Sequence, residues 1–90
     1  MAGFGYEWDE AKRAANPGKH GLDFAAIELF YWAAATVLPD TRVDYGEARF
    51  RAYGMLEGRP CVVVFTRRGA TIRLISLRRA NARERRRHGH

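Results

Sequence analysis

Arginine is the residue type in this chain whose placement could do chemistry, and the chemistry it suits is the holding of phosphate. The guanidinium is planar, stays charged throughout and offers two N–H donors to two phosphate oxygens. Arg73, Arg78 and Arg79 lie in a strand-like stretch, and Arg83, Arg85, Arg86 and Arg87 follow it directly. Breaking a phosphodiester by attack of a neighbouring hydroxyl also needs a base for one proton and an acid to return another to the leaving oxygen. His20 is the candidate for that transfer, since histidine alone has an unperturbed pKa near neutrality. Lys19 beside it disfavours the imidazolium and keeps the ring able to act as a base. A histidine in a last helical turn also simply complements the helix dipole, so both readings of His20 stand. Glu47 is the alternative base, and Arg49 either pairs with it or reaches the polyanion; a surface ion pair is the plainer reading of both. No metal site is expected, because His20, His88 and His90 do not form a ligand constellation.

These residues need elements to position them. Asp9 is placed to cap a helix over residues 10–15, with Pro17 complicating its continuation and Gly21 suiting its end. A second helix is expected from Asp23, where Phe24, Ile27 and Phe30 or Tyr31 recur at helical spacing and need a surface to cover. Strands are expected at about residues 35–39, 49–56, 59–66 and 71–78, after a short extended entry at Tyr6-Glu-Trp8. Glu57-Gly58 and Arg68-Gly69 are short glycine-bearing connections of the hairpin type. Asn81 with Glu84 three residues on forms a capping-box pattern, so the arginine-rich end should begin as a helix. The expected architecture is α+β: two N-terminal helices packed on an antiparallel sheet of four to five strands, then a short basic C-terminal helix, all in a single domain spanning residues 1–90. Strict alternation along residues 71–78 sets Ile72, Leu74, Ser76 and Arg78 on one face and Arg73, Ile75, Leu77 and Arg79 on the other. Arg73 and Arg78 therefore share a face only if that strand twists or bulges.

Charge is polarised along the chain. Residues 67–90 carry nine arginines against one acid, Glu84, a balance of +8; residues 1–66 carry seven basic against nine acidic residues, and the whole has a net charge of +6. A charge concentrated in one element collects polyanions, so nucleic acid is the first partner to consider. Arg83 and Arg86, on a helix charged on nearly all faces that cannot all contact one substrate, would gather nucleic acid generally. Cys61, inside the apolar run Cys61-Val-Val-Val-Phe65, is a buried hydrophobe, and a lone cysteine points to a reducing, cytoplasmic setting. The apolar stretch at residues 29–38 is far short of a membrane span. Neither a glycine-rich phosphate loop nor an apolar pocket signature supports small-molecule binding.

Read in order, Trp8-Asp9, Lys12, Asn16, Lys19-His20-Gly21, Asp23-Phe24, Asp44-Tyr-Gly-Glu47-Ala-Arg49-Phe50, Gly54, the run from Val62 to Thr66, and Ile72-Arg73-Leu-Ile75-Ser76-Leu-Arg78-Arg79-Ala80 with Glu84-Arg85 resemble the BrnT family. The resemblance covers almost the whole chain and rests on the ordered set, since no single piece is decisive. It implies a RelE-like fold and a metal-independent, cofactor-free endoribonuclease toxin of a type II toxin-antitoxin system, cleaving RNA by 2′-hydroxyl attack and inhibiting growth. The implied partners are RNA and a cognate BrnA-like antitoxin with a ribbon-helix-helix DNA-binding part, which alone would bring the toxin to operator DNA. On this reading His20, Arg73, Arg78 and Glu47 are the catalytic candidates, and Lys19, Arg49, Arg79, Arg83 and Arg86 the RNA-binding ones. Three departures stand out. Pro17-Gly18 interrupts the first helix, Trp32-Ala-Ala-Ala35 replaces an acid and a proline, and His88 stands where the family pattern often has tyrosine. Pro17-Gly18 keeps open an alternative: a catalytically weak nucleic-acid-binding module acting mainly as an antitoxin-dependent corepressor.

Overall fold

A computed structural model describes residues 5–15, 22–42, 44 and 46–88. The chain runs β1 (Gly5–Glu7), α1 (Glu10–Ala15), two 3-10 segments (Phe24–Leu29 and Trp32–Ala34), β2 (Thr36–Pro39), β3 (Arg49–Leu56), β4 (Arg59–Arg68), β5 (Thr71–Arg79) and α2 (Ala82–His88). One five-stranded sheet holds them in the order β1-β5-β4-β3-β2. Asp9 caps α1 as its sequence suggests, its Oδ1 accepting from the backbone N–H of Ala11 and Lys12 at 2.9 and 3.2 Å.

This architecture corrects the expected one in two respects. Only one α-helix precedes the body of the sheet, because the stretch expected to be a second helix is 3-10. Its backbone bonds span three residues, from Ala26 N–H to Asp23 and from Phe30 N–H to Ile27. Phe24, Ile27 and Phe30 recur every three residues, which is the 3-10 period, so all three fall on one line and all three are buried. The sheet is also mixed rather than antiparallel: β2 to β5 pair antiparallel, but β1 runs parallel to β5 with Glu7 beside Arg73. Three residues are too few to announce a strand by periodicity, and a parallel partner requires a crossover that no turn motif signals.

The core lies on one face of the sheet. Ala52 and Leu56 from β3, Cys61, Val63 and Phe65 from β4, and Ile72, Leu74 and Leu77 from β5 pack against Phe24, Ile27 and Phe30. Trp32 completes it, edge-on to Phe30 and Phe65 at ring distances of 4.8 and 5.4 Å and donating from Nε1 to the Tyr6 hydroxyl at 2.8 Å. The Trp32-Ala-Ala-Ala35 departure thus has a structural role. The Cys61 thiol is buried, which pushes its pKa up and makes it a core side chain. Tight turns fix the strand register. Glu57 and Gly58 have φ of 50 and 78°, the pair of left-handed residues that suits a two-residue hairpin. The next turn sits at Gly69-Ala70 rather than Arg68-Gly69, since β4 runs on through Arg68.

Gly54 seats the 3-10 segment on the sheet: a Cβ there would lie 2.7 Å from Phe30 Cζ and 3.1 Å from the Ala35 Cβ. Gly54→Ala should therefore force the Phe30 ring off its seat and cost about 1–3 kcal/mol, the usual range for overpacking. Urea unfolding of the variant measures it. An unchanged midpoint would mean that Phe30 does not need this close approach.

Candidate nucleic-acid interface

The side of the sheet away from the main core carries the arginines, and a bulge in β5 is what gathers them there. Val64 pairs with Ser76 but Phe65 pairs with Leu74, so Ile75 is an extra residue in β5 with no partner of its own. One inserted residue resets the side-chain alternation beyond it. Ile72, Leu74 and Leu77 all reach the core, while Arg73, Ser76 and Arg78 share the opposite face. Three rows cross that face. Tyr53, Val62 and Arg78 form the first, Arg51, Val64 and Ser76 the second, and Arg49, Thr66, Arg73 and Glu7 the third. The rows are about 7 Å apart, two residues of strand. Arg73 and Arg78 therefore address the two ends of one surface.

Carboxylates hold the cations in place. Glu7 accepts from Arg73 Nη1 at 2.7 Å and lies 3.6 Å from Arg68 Nη1. Glu47 lies 3.4 Å from Arg49 Nε. Arg51 Nη1 donates to the Tyr53 hydroxyl at 3.0 Å; its Nε is buried with no hydrogen-bond partner, 3.9 Å from an Asp40 oxygen. Asp40 itself is fully buried at its side chain and accepts from Arg42 Nε and Nη2 at 2.7 and 2.8 Å; the Arg42 hydrogen bond brings its pKa down to about 2.

Glu84 makes the most developed contact. Its two oxygens accept from Nη1 and Nη2 of Arg78, both at 2.8 Å. Oε1 also accepts from the Asn81 backbone N–H, and Asn81 Oδ1 accepts from the Glu84 N–H, each at 2.9 Å, which is the capping box read from sequence. The Arg78 hydrogen bonds lower the Glu84 pKa to about 2, and Glu84 in turn raises that of Arg78. Glu84 takes the end of the guanidinium. The Nε edge of Arg78 carries no hydrogen bond among the described residues, and that side-on fork matches a phosphate.

Helix α2 then lies over one end of the arginine face. The His88 ring stacks on Tyr53 at 3.7 Å between centroids and 17° between planes. Between α2 and the β2–β3 edge is a cavity of about 330 Å³, lined by Leu38, Arg51, Tyr53, Asn81, Arg83, Glu84, Arg87 and His88. It joins four cationic or proton-exchanging side chains to an aromatic wall, and Arg78 borders it through Glu84.

The residues expected from sequence are distributed unevenly. Arg73, Arg78 and Arg49 are brought together on this face, and Arg83 reaches the cavity. Arg79 pairs with Cys61 in the ladder and belongs to the opposite face, beside Arg59 and Glu57. Arg86 is exposed on α2 and does not line the cavity. Glu47 sits with Arg49 at the far end from His88. His20 and Lys19, with Pro17-Gly18, lie outside the described residues, as does Tyr45. Tyr53 is only 4% exposed and already covered by His88, so it offers no open platform for a base. Sequence reasoning passed over Arg51, placed Arg87 only in the general basic run, and noted His88 only as a departure from the family pattern. Alternation in β3 places Arg51 and Tyr53 on one face, and that was the available signal for Arg51. Among the described residues no cluster of His, Cys, Asp or Glu could hold a metal ion, and no helix is long and apolar enough to cross a membrane.

Glu84 carries a pH signature. A carboxylate whose folded pKa is depressed from 4.5 to about 2 adds stability above pH 4.5, and that contribution is lost as pH falls toward 2. Glu84→Gln should cost about 1.5–3 kcal/mol at pH 7, the range for a hydrogen bond to a charged group, and the gap to the parent chain should close between pH 4.5 and 2. Urea unfolding across that range tests this; a gap independent of pH would contradict it.

Residues 8–84 match the family described as "Ribonuclease toxin, BrnT, of type II toxin-antitoxin system". No curated protein and no solved structure matches the chain.

Proposed function

The chain belongs to the BrnT family of type II ribonuclease toxins, and from that premise we propose that it is an endoribonuclease that cuts RNA by attack of a 2′-hydroxyl on its own phosphate, with no metal. It acts in the cytoplasm, inhibits growth, and is silenced by a cognate BrnA-like antitoxin whose ribbon-helix-helix part carries the complex to operator DNA. The observation that carries this reading is the bulge at Ile75, which joins Arg73 and Arg78 with Arg49 and Arg51 on one sheet face beside His88.

In this mechanism the 2′-oxygen bonds to phosphorus as the 5′-oxygen leaves, giving a 2′,3′-cyclic phosphate and a 5′-hydroxyl. A base takes the 2′ proton and an acid protonates the leaving oxygen. Arg78, held end-on by Glu84, offers its Nε fork to the crowded phosphorus oxygens, where fixed charge is worth most because it needs no reorganisation. Arg73, about 13 Å along the strand by residue rise, holds a neighbouring phosphate. His88 at the cavity and His20 are the proton carriers, with Glu47 the alternative base at the Arg73 end. Lys19, Arg49 and Arg83 steer the strand in, and Arg79 and Arg86 add to the general field that concentrates RNA.

Arg78→Ala should lower cleavage of a single-stranded RNA by at least about a hundredfold, the scale of losing one transition-state donor, whereas Arg79→Ala should stay within a few-fold. His88→Phe keeps the ring stack on Tyr53 and removes proton exchange, so a large loss there and none in His20→Gln would assign the role to His88. Circular dichroism checks that each variant is folded. A folded, antitoxin-free parent chain that leaves several RNAs intact would favour the corepressor alternative.

A further inference from the structure

Leu29, Tyr31, Val37 and Leu38 are the exposed large hydrophobic residues of the described chain, at 56, 59, 47 and 37%. All four fall within ten consecutive residues, and that stretch, which ends in the edge strand β2, runs beside β3. β2 covers β3 from Phe50 to Tyr53. The preceding residues continue along the same side, with Phe30 bridged to Leu56 and Tyr31 N–H donating to Met55. The strip is about 20 Å long by strand rise. Residues 29–39 contain no charged side chain, in a chain of +6.

The strip has a backbone polarity as well. Asp40 N–H donates to the Arg49 carbonyl at 2.7 Å. Ladder alternation then turns the backbone groups of Leu38 and Thr36 toward β3 and those of Val37 and Pro39 outward. Pro39 leaves no N–H exposed there, as edge prolines do. One donor and two acceptors remain for a short extended segment to meet. At Leu38 the strip changes character, because Leu38 is also a wall of the cavity, with Arg51, Arg83, Arg87 and His88.

We propose that the β2 edge is where the antitoxin docks: an extended apolar segment lies along residues 29–38, and carboxylates at its end enter the cavity onto Arg51, Arg83 and Arg87. This rests on the toxin reading above, since it names how that same site is silenced. RNA satisfies the cationic end but gains nothing from an uncharged strip of Leu, Tyr and Val. A second copy of the chain would bring another +6 and no carboxylates aligned with the arginines. An acidic, apolar-alternating segment matches both parts, pairing backbone at Val37 and setting its own anions on the cavity arginines beside Arg78.

The test uses the full chain and its cognate antitoxin, purified as the complex and reassembled from separated parts. Val37→Asp and Tyr31→Asp should weaken antitoxin binding at least about fiftyfold and leave RNA cleavage by the antitoxin-free chain within threefold. Arg83→Glu with Arg87→Glu should weaken it and flatten its salt dependence, whereas Arg59→Glu, on the opposite face, should not. Hydrogen exchange supplies a measurement that needs no variant: the Val37 amide should be unprotected in the isolated chain and protected in the complex. Antitoxin binding unaffected by either edge substitution, or an unprotected Val37 amide in the complex, overturns the proposal. A dimer of the isolated chain that Val37→Asp dissolves assigns the edge to a second copy and overturns it too. The two readings fail separately: edge-dependent binding by a chain that cuts no RNA sinks the nuclease, and cleavage by a chain whose antitoxin ignores the edge sinks the docking.

Discussion

A strand that buries Ile72 and Leu74 on one side and shows both Arg73 and Arg78 on the other cannot alternate strictly, because five steps separate the two arginines and an odd number changes face. The chain meets that constraint by giving β5 one residue more than β4 opposes, with Ile75 as the surplus. Leu77 then returns to the core, Arg78 joins Arg73, and the rest of the site is arranged on the surface this creates. Without the insertion, Ser76 would oppose Val63 in place of Leu77, and Arg78 would oppose Cys61 on the core side, where Arg79 now stands. The apolar residues of β5 and its cations thus select the same register.

Gathering arginines has an electrostatic cost that the neighbouring acids offset. Like charges within one another's reach repel by about 1 kcal/mol at 4 Å even in water, and by more where the solvent is displaced. Glu7, Glu47, Asp40 and Glu84 each sit against one of the basic side chains of this region. The carboxylates do not erase the site. They hold each guanidinium in place, and at Arg78 the Nε edge is left without a hydrogen bond among the described residues, so the donors are oriented before any anion arrives. That is the condition under which a fixed charge acts on a developing one without first reorganising.

The longer strands were legible because their boundaries are written in turn chemistry. Glu57-Gly58 supplies the two left-handed residues a tight hairpin needs, and an uninterrupted Cys61 to Phe65 run suits a strand covered on both sides. The Asn81–Glu84 box was legible for the same reason, as a local pattern with a local bond. The 3-10 segment was not, since apolar residues three apart are compatible with either helix and the choice is made by where Phe30 must land against Gly54. The bulge leaves no mark in composition: Ile75 is as apolar as its neighbours, and only pairing with β4 shows it to be surplus. For the site, Arg73, Arg78 and Arg49 could be nominated by type, but Arg51 and His88 became visible only when the sheet and α2 placed them beside Tyr53.

Helix α2 is seven residues long and buries none of them fully, and a helix of that length has little stability of its own in water. It is fastened at two points, the Arg78–Glu84 ion pair at its start and the His88–Tyr53 ring stack at its end. Local opening of such an element requires much less free energy than unfolding the sheet beneath it. The roof of the cavity is therefore held by two fasteners, and one of them is the arginine proposed to face the phosphate. An anion that draws Arg78 away from Glu84 would release one fastening of that roof, so binding at this arginine and the seating of α2 are linked through one guanidinium.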